Sequence, residues 1–241
     1  DTVLASWGIS SILLMKLLET TLPLSVQVHP SDKLAAEIEG SSNGKAEAWF
    51  VLAADISAKV YHGLRVSVDD LIKSVTDNKF DPDRVLNGFP VKCGSVVPID
   101  PGTVHATKGP IFFMEIQQPS DLTYRIYDWG HGRLLDLEKA KKCITSLRLL
   151  TSALEPIYAG SGDGWAKNYL WSNSSFVMEQ IVFTKTISPS DDTIYASTDH
   201  SFTLIFEGSE FLVPAYYAVF VPPGVKCEVA GNASLFCAKP M

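Results

Sequence analysis

The sequence predicts a mainly β protein with a few helices, its strands gathered into sandwich or barrel units. Two observations carry that reading. Leu24-Ser25-Val26-Gln27-Val28-His29 alternates apolar and polar residues before Pro30-Ser31-Asp32 ends the run. From Phe176 to the end, short apolar runs recur between turn residues.

Taken in order, residues 10–19 (SILLMKLLET) bring Ile12, Met15 and Leu18 close to a helical stripe, and a short helix or a buried strand both fit. Lys33 to Glu39 reads as a helical turn, and Ser41-Ser42-Asn43-Gly44 as a loop. Glu47 to Leu52 is the next strand. Val68 to Val75 is a helix with Ser67 at its N-cap, and Asp69 and Asp70 complement the dipole in its first turn. Strands around Ser95–Ile99 and Ile111–Gln118 flank the turn Asp100-Pro101-Gly102. A second helix is expected over Leu137–Leu150 and a Gly-rich loop over Tyr158–Trp165. Strands follow near Ser201–Glu207, Phe211–Pro214, Ala218–Val221, Lys226–Val229 and Ser234–Ala238. The domain boundary is expected near residue 155, separating 1–154 from 155–241.

In 241 residues, 20 Lys and Arg face 27 Asp and Glu, a net charge of −7. With no basic block, that balance argues against nucleic acid or an anionic membrane as partner, while a pocket for a small anionic substrate can still be locally basic. The apolar run Ile12–Leu18 is broken by Lys16 and is far too short to span a bilayer. Cys93, Cys143, Cys227 and Cys237 form no CxxC pair and read as free thiols. No signal peptide is visible, and the expected location is cytoplasmic. The start at Asp1 reads as that of a fragment or processed chain.

Chemistry concentrates on one strand face. Ser25, Gln27 and His29 share parity and project to one side, as do Lys45, Glu47 and Trp49 on the following segment. His105 lies three residues after the tight Pro101-Gly102 turn. Two imidazoles, a carboxylate and an amide oxygen make a metal site with room for substrate or water; by donor type it admits zinc, iron(II), manganese or nickel. Tyr124, Tyr127 and Trp129 read as barrel packing, and His62 and His200 as ordinary surface histidines.

Four blocks, 24–30 (LSVQVHP), 44–52 (GKAEAWFVL), 101–106 (PGTVHA) and 115–130 (EIQQPSDLTYRIYDWG), closely resemble type I mannose-6-phosphate isomerases over about Leu17–Lys142. The resemblance implies two cupin-like (jelly-roll) barrels, the first shortened at its N-terminus and holding the catalytic site among helical insertions. The second, where no His follows Gly224 in the cupin turn, is implied to be non-catalytic and metal-free. Also implied is one Zn2+ per chain, bound by Gln27, His29, Glu47 and His105. Lys45 and Glu115 become candidate acid/base groups, Arg125 an active-site arginine, and Ser25 and Arg125, with Lys45, contacts to the substrate. The implied reaction interconverts mannose 6-phosphate and fructose 6-phosphate through a cis-enediol, in a monomer or homodimer whose partner is a small sugar phosphate. The alternative is an inactive cupin that binds a sugar phosphate or a protein partner. Two departures favour it: Asp136 stands where the family has a histidine, and little is visible of the segment that relatives carry before the metal-binding strand. With strands missing there, the chain is expected to be less stable than a longer relative.

Overall fold

A computed structural model describes residues 13–145, 150–190 and 193–241. The chain divides into two compact units, one over Lys16–Glu155 and one containing Pro156–Met241.

The first unit is built on two sheets. One contains β1 (Leu14–Thr20), β8 (Ile111–Gln117), β3 (Glu47–Ala54) and β6 (Val96–Ile99), in that spatial order. The other runs β5 (Leu86–Pro90), β4 (Lys59–Leu64), β7 (His105–Lys108), β2 (Val26–Val28) and β9 (Tyr124–Tyr127). Their inner faces meet through Trp49, Val51, Val60, Phe89, Val97 and Phe113, which form one buried cluster. Alternation sends Val26, Val28, Ala106, Tyr124 and Ile126 to the other face of the second sheet. There they pack against α2 (Val68–Thr76) and α4 (Leu137–Cys143) through Leu71, Val75, Ala140 and Cys143. The intervening residue Gln27 is thereby turned inward.

The helices end where the sequence supplies caps. α1 (Asp32–Glu39) starts on Ser31, whose hydroxyl accepts from the Leu34 N–H, and stops at Gly40 in the left-handed conformation. α2 starts on Ser67, which accepts from the Asp70 N–H. A short α3 (Pro82–Val85) leads into β5.

One open reading is decided and two sequence expectations change. Of the two readings of residues 10–19, the structure has the strand, β1; residues 10–12 lie outside the described part. α4 ends at Cys143 rather than Leu150, because Thr145 turns away to donate its backbone N–H to Gly102 O at 3.3 Å. The end of the expected helix at 146–149 lies outside the described residues. The Gly-rich stretch is no loop but a hairpin of β10 (Ile157–Gly162) and β11 (Trp165–Ser172) turning at Asp163-Gly164, a dipeptide favoured in two-residue hairpins.

The second unit has a six-stranded sheet, β10-β11-β12-β18-β13-β16, with β12 at Phe176–Phe183, β13 at Thr193–Ser197, β16 at Ala218–Val221 and β18 at Ala233–Pro240. A three-stranded sheet, β15-β14-β17, combines Ser209–Val213, Phe202–Phe206 and Glu228–Ala230. Phe183, Tyr195, Phe202, Val229 and Leu235 form its core. The β14–β15 turn has positive φ at both Glu207 and Gly208, as a tight hairpin of right-handed twist requires. Among the described residues all four cysteines are free, and no helix is long and apolar enough to cross a membrane.

Candidate metal centre

Strand register assembles the site. Across β4, β7, β2 and β9, His62 pairs with His105, His105 with Gln27, and Gln27 with Arg125, so one polar row crosses the inner face of the sheet. On the facing sheet Glu47 and Trp49 of β3 lie opposite Gln117 and Glu115 of β8. His29 follows β2 directly, in phase with Gln27.

His29, Glu47 and His105 converge, and one ligand atom from each lies within 4.8 Å of the others. His29 Nε2 is 3.5 Å from Glu47 Oε2, and His105 Nε2 is 3.3 Å from Glu47 Oε1. Those spacings are close to the ~3.3 Å edge of a tetrahedron with metal–ligand bonds of ~2.0–2.1 Å. His29 Nδ1 lies 2.9 Å from Leu122 O and His105 Nδ1 3.0 Å from Thr103 O. A carbonyl can only accept, so each Nδ1 carries the proton and each Nε2 presents a lone pair to the centre. Glu47 is fully buried, and neither of its oxygens receives a well-aligned hydrogen bond. The Lys45 ammonium stands 2.7 Å from Glu47 Oε2 and 3.2 Å from His29 Nε2.

Burial lowers the His29 pKa to about 4, although Glu47 beside it acts to raise it, so His29 is neutral at pH 7. For Glu47, burial pushes upward and the charges of its neighbours push down; the latter prevail, and its pKa falls well below the usual carboxylate range. With His29 neutral, Lys45 supplies the charge that holds it there. Two imidazole nitrogens and one carboxylate, converging in a buried pocket, are a donor set that suits a divalent cation.

Ser25, buried, donates its hydroxyl to Gln27 Oε1 at 2.9 Å. Gln27 Nε2 lies 3.2 Å from His105 Nε2 and donates to it, so the expected amide ligand reaches the group with its nitrogen. Arg125 is half-buried; its Nε is buried without a hydrogen-bond partner among the described residues. Glu115 has Oε2 3.0 Å from Trp49 Nε1 and Oε1 3.6 Å from Lys16 Nζ. Burial, then the charge of Glu47, raises the Glu115 pKa to about 7 against the pull of Lys45, Lys16 and the Trp49 hydrogen bond.

Sequence reasoning missed Lys16, whose ammonium lies 2.5 Å from Gln117 Oε1. The available signal was a single charge inside the apolar run Ile12–Leu18. The surface role expected for His62 is wrong: it is 1% exposed and lies 3.0 Å from Pro98 O through Nε2, because the polar row carries it inside. His200 is exposed, beside Asp199. Tyr124, Tyr127 and Trp129 pack on the helix-covered face.

No family model matches the chain. It is 30% identical over 232 residues to the probable mannose-6-phosphate isomerase GmuF of Bacillus subtilis, a match that covers 90% of this chain and 73% of that protein. It is 38% identical over 140 residues to a mannose-6-phosphate isomerase of Streptococcus mutans, covering 55% of this chain and 43% of the other. Against the Bacillus subtilis isomerase ManA it is 34% identical over 133 residues, 42% of that protein. Two of these three matches thus span less than half of the relative's length. Among solved structures, a mannose 6-phosphate isomerase from Bacillus subtilis superposes with a TM-score of 0.82 at 24% identity, over 94% of this chain and 74% of that one. A zinc-bound mannose 6-phosphate isomerase superposes with a TM-score of 0.74 at 13% identity, over all of this chain and 81% of the other. At those identities the likeness shows the fold, that of two-barrel cupin isomerases.

Proposed function

Because the chain belongs to the mannose-6-phosphate isomerase family, we propose that it interconverts mannose 6-phosphate and fructose 6-phosphate with one zinc ion per chain. The observation that carries this reading is the buried His29/Glu47/His105 group with both Nε2 lone pairs aimed inward. His29, Glu47 and His105 hold the metal, and Gln27 joins them once its amide turns over to present oxygen. Ser25 permits that turn, since a hydroxyl donates or accepts equally well.

Zinc, when bound, supplies Lewis-acid polarisation of the sugar's carbonyl and hydroxyl oxygens. Isomerisation removes a proton from C2 and returns one to C1 through a cis-enediol. Glu115 carries that proton: burial has moved its pKa to about 7, where a carboxyl both accepts and releases a proton at neutral pH. Lys45, held beside Glu47, stabilises charge that develops on the sugar oxygens. Arg125, with its unpartnered buried Nε, and Ser25 take the phosphate or an oxyanion. The catalytic role belongs to residues 1–154, and residues 155–241 form a non-catalytic unit.

The test joins metal analysis to a mannose 6-phosphate isomerase assay with and without chelator. About one zinc per chain and turnover lost on chelation are expected; no metal and no turnover would leave an inactive cupin. His105→Ala should lose both metal and activity, and retention of either would show the ligand assignment to be wrong.

A further inference from the structure

Trp49 is almost fully buried, and its indole is wedged between two rings. Phe113 lies on one side, with centroids 4.7 Å apart, and His105 lies edge-on at 5.7 Å. That packing fixes the direction of its only polar bond, the N–H, which points at Glu115 Oε2 from 3.0 Å. Glu115 is thus asymmetric. Oε2 is tied to a donor that cannot swing away, while Oε1 has, among the described residues, the Lys16 ammonium at 3.6 Å as its ion-pair partner. Register sets up the contact, since Trp49 and Glu115 are directly paired across β3 and β8.

We propose that Trp49 is a positioning residue of the isomerisation, its indole N–H holding Glu115 by Oε2 and so reserving Oε1 for the substrate's proton. The inference rests on the isomerase reading and deepens it. Proton transfer between two carbons is sensitive to the angle of the carrying carboxylate, and one hydrogen bond to a rigid ring removes the rotation about the carboxylate's last bond. A buried Trp commonly satisfies its N–H somewhere, so the contact needs a test that separates orientation from packing.

Trp49→Phe keeps an aromatic ring in the cluster and deletes the donor. The expected result is kcat lower by roughly ten- to a hundredfold, the loss of one hydrogen bond to a charged group. KM should stay within about twofold and zinc content unchanged. The primary isotope effect with substrate deuterated at C2 should rise, because proton transfer becomes slower relative to the other steps. In a Glu115→Gln background the same substitution should cost little more, because the carboxylate it orients is gone. Should Trp49→Phe fold poorly, 3-benzothienylalanine placed at position 49 keeps the fused ring and lacks the N–H, and the same loss of kcat is expected. Unchanged kcat and isotope effect in a zinc-loaded variant, or an equal loss with and without Glu115, would overturn the inference while leaving the isomerase reading intact. A wild-type chain with zinc bound and no isomerase activity would overturn both.

Discussion

At Glu115 the two largest influences act in the same direction: burial and the nearby charge of Glu47 both disfavour ionisation and bring the pKa to about 7. As a base it works ionised, so kcat/KM should rise as pH climbs through the titration of Glu115. The charge of a bound cation shifts that midpoint downward. Glu115→Gln should remove this limb and lower kcat by about 10²–10⁴, read from pH–rate profiles of both proteins. In the metal-free chain the same shift has the opposite consequence for stability. Between the unperturbed value of 4.5 and about 7, the native state holds a proton that the unfolded chain has released. The stabilisation is complete below 4.5 and is lost as pH rises to about 7. His29, lowered to about 4, adds a rise of stability with pH to both proteins, so in urea melts of the chelated proteins at pH 4.5 and 7.5 the wild type should lose stability relative to Glu115→Gln as pH rises.

At the scale of elements, the turns between strands decide whether the ligands meet. Gly44 precedes Lys45, and a Cβ there would lie 2.4 Å from Pro30 O and from Ser31 C. Both are backbone atoms of the segment that carries His29 into α1. Gly44→Ala should therefore cost about 1–3 kcal/mol through overpacking and lower zinc occupancy, measured by denaturant melts and metal analysis. Gly102, at φ +85°, combines left-handed backbone with a Cβ position 2.4 Å from Thr145 Oγ1. That close approach also explains why α4 stops short. Helix propensity is a local property, and the sequence from Ile144 onward carried no sign of the Thr145–Gly102 hydrogen bond that ends it. The β10–β11 hairpin is the reverse case: its Asp163-Gly164 turn signal is local but sits among further glycines, a composition that a loop shares.

For the molecule as a whole, the candidate ligands all belong to the unit Lys16–Glu155. Zinc at a hundredfold excess over its Kd should stabilise that unit by about 2.7 kcal/mol. Where calorimetry resolves two transitions, only one should move with zinc, and the chain carrying His105→Ala should show no shift. The sequence by itself determined the mainly β character, the strand that carries Gln27 and His29, and the parity that puts Ser25, Gln27 and His29 on one side. It also carried, in four ordered blocks, the resemblance that the relatives share. All of this is information with a period of two residues or a run of a few. Only the tertiary structure decided that His62 is buried, that Lys16 reaches Gln117 and Glu115, that Trp49 holds Glu115, and that Arg125 shares a row with Gln27. Those contacts join residues 66 to 101 positions apart, as from Trp49 to Glu115 and from Lys16 to Gln117. Alternation says which side of a strand a residue faces; strand pairing and sheet packing, set by the summed burial of the whole unit, say what it finds there.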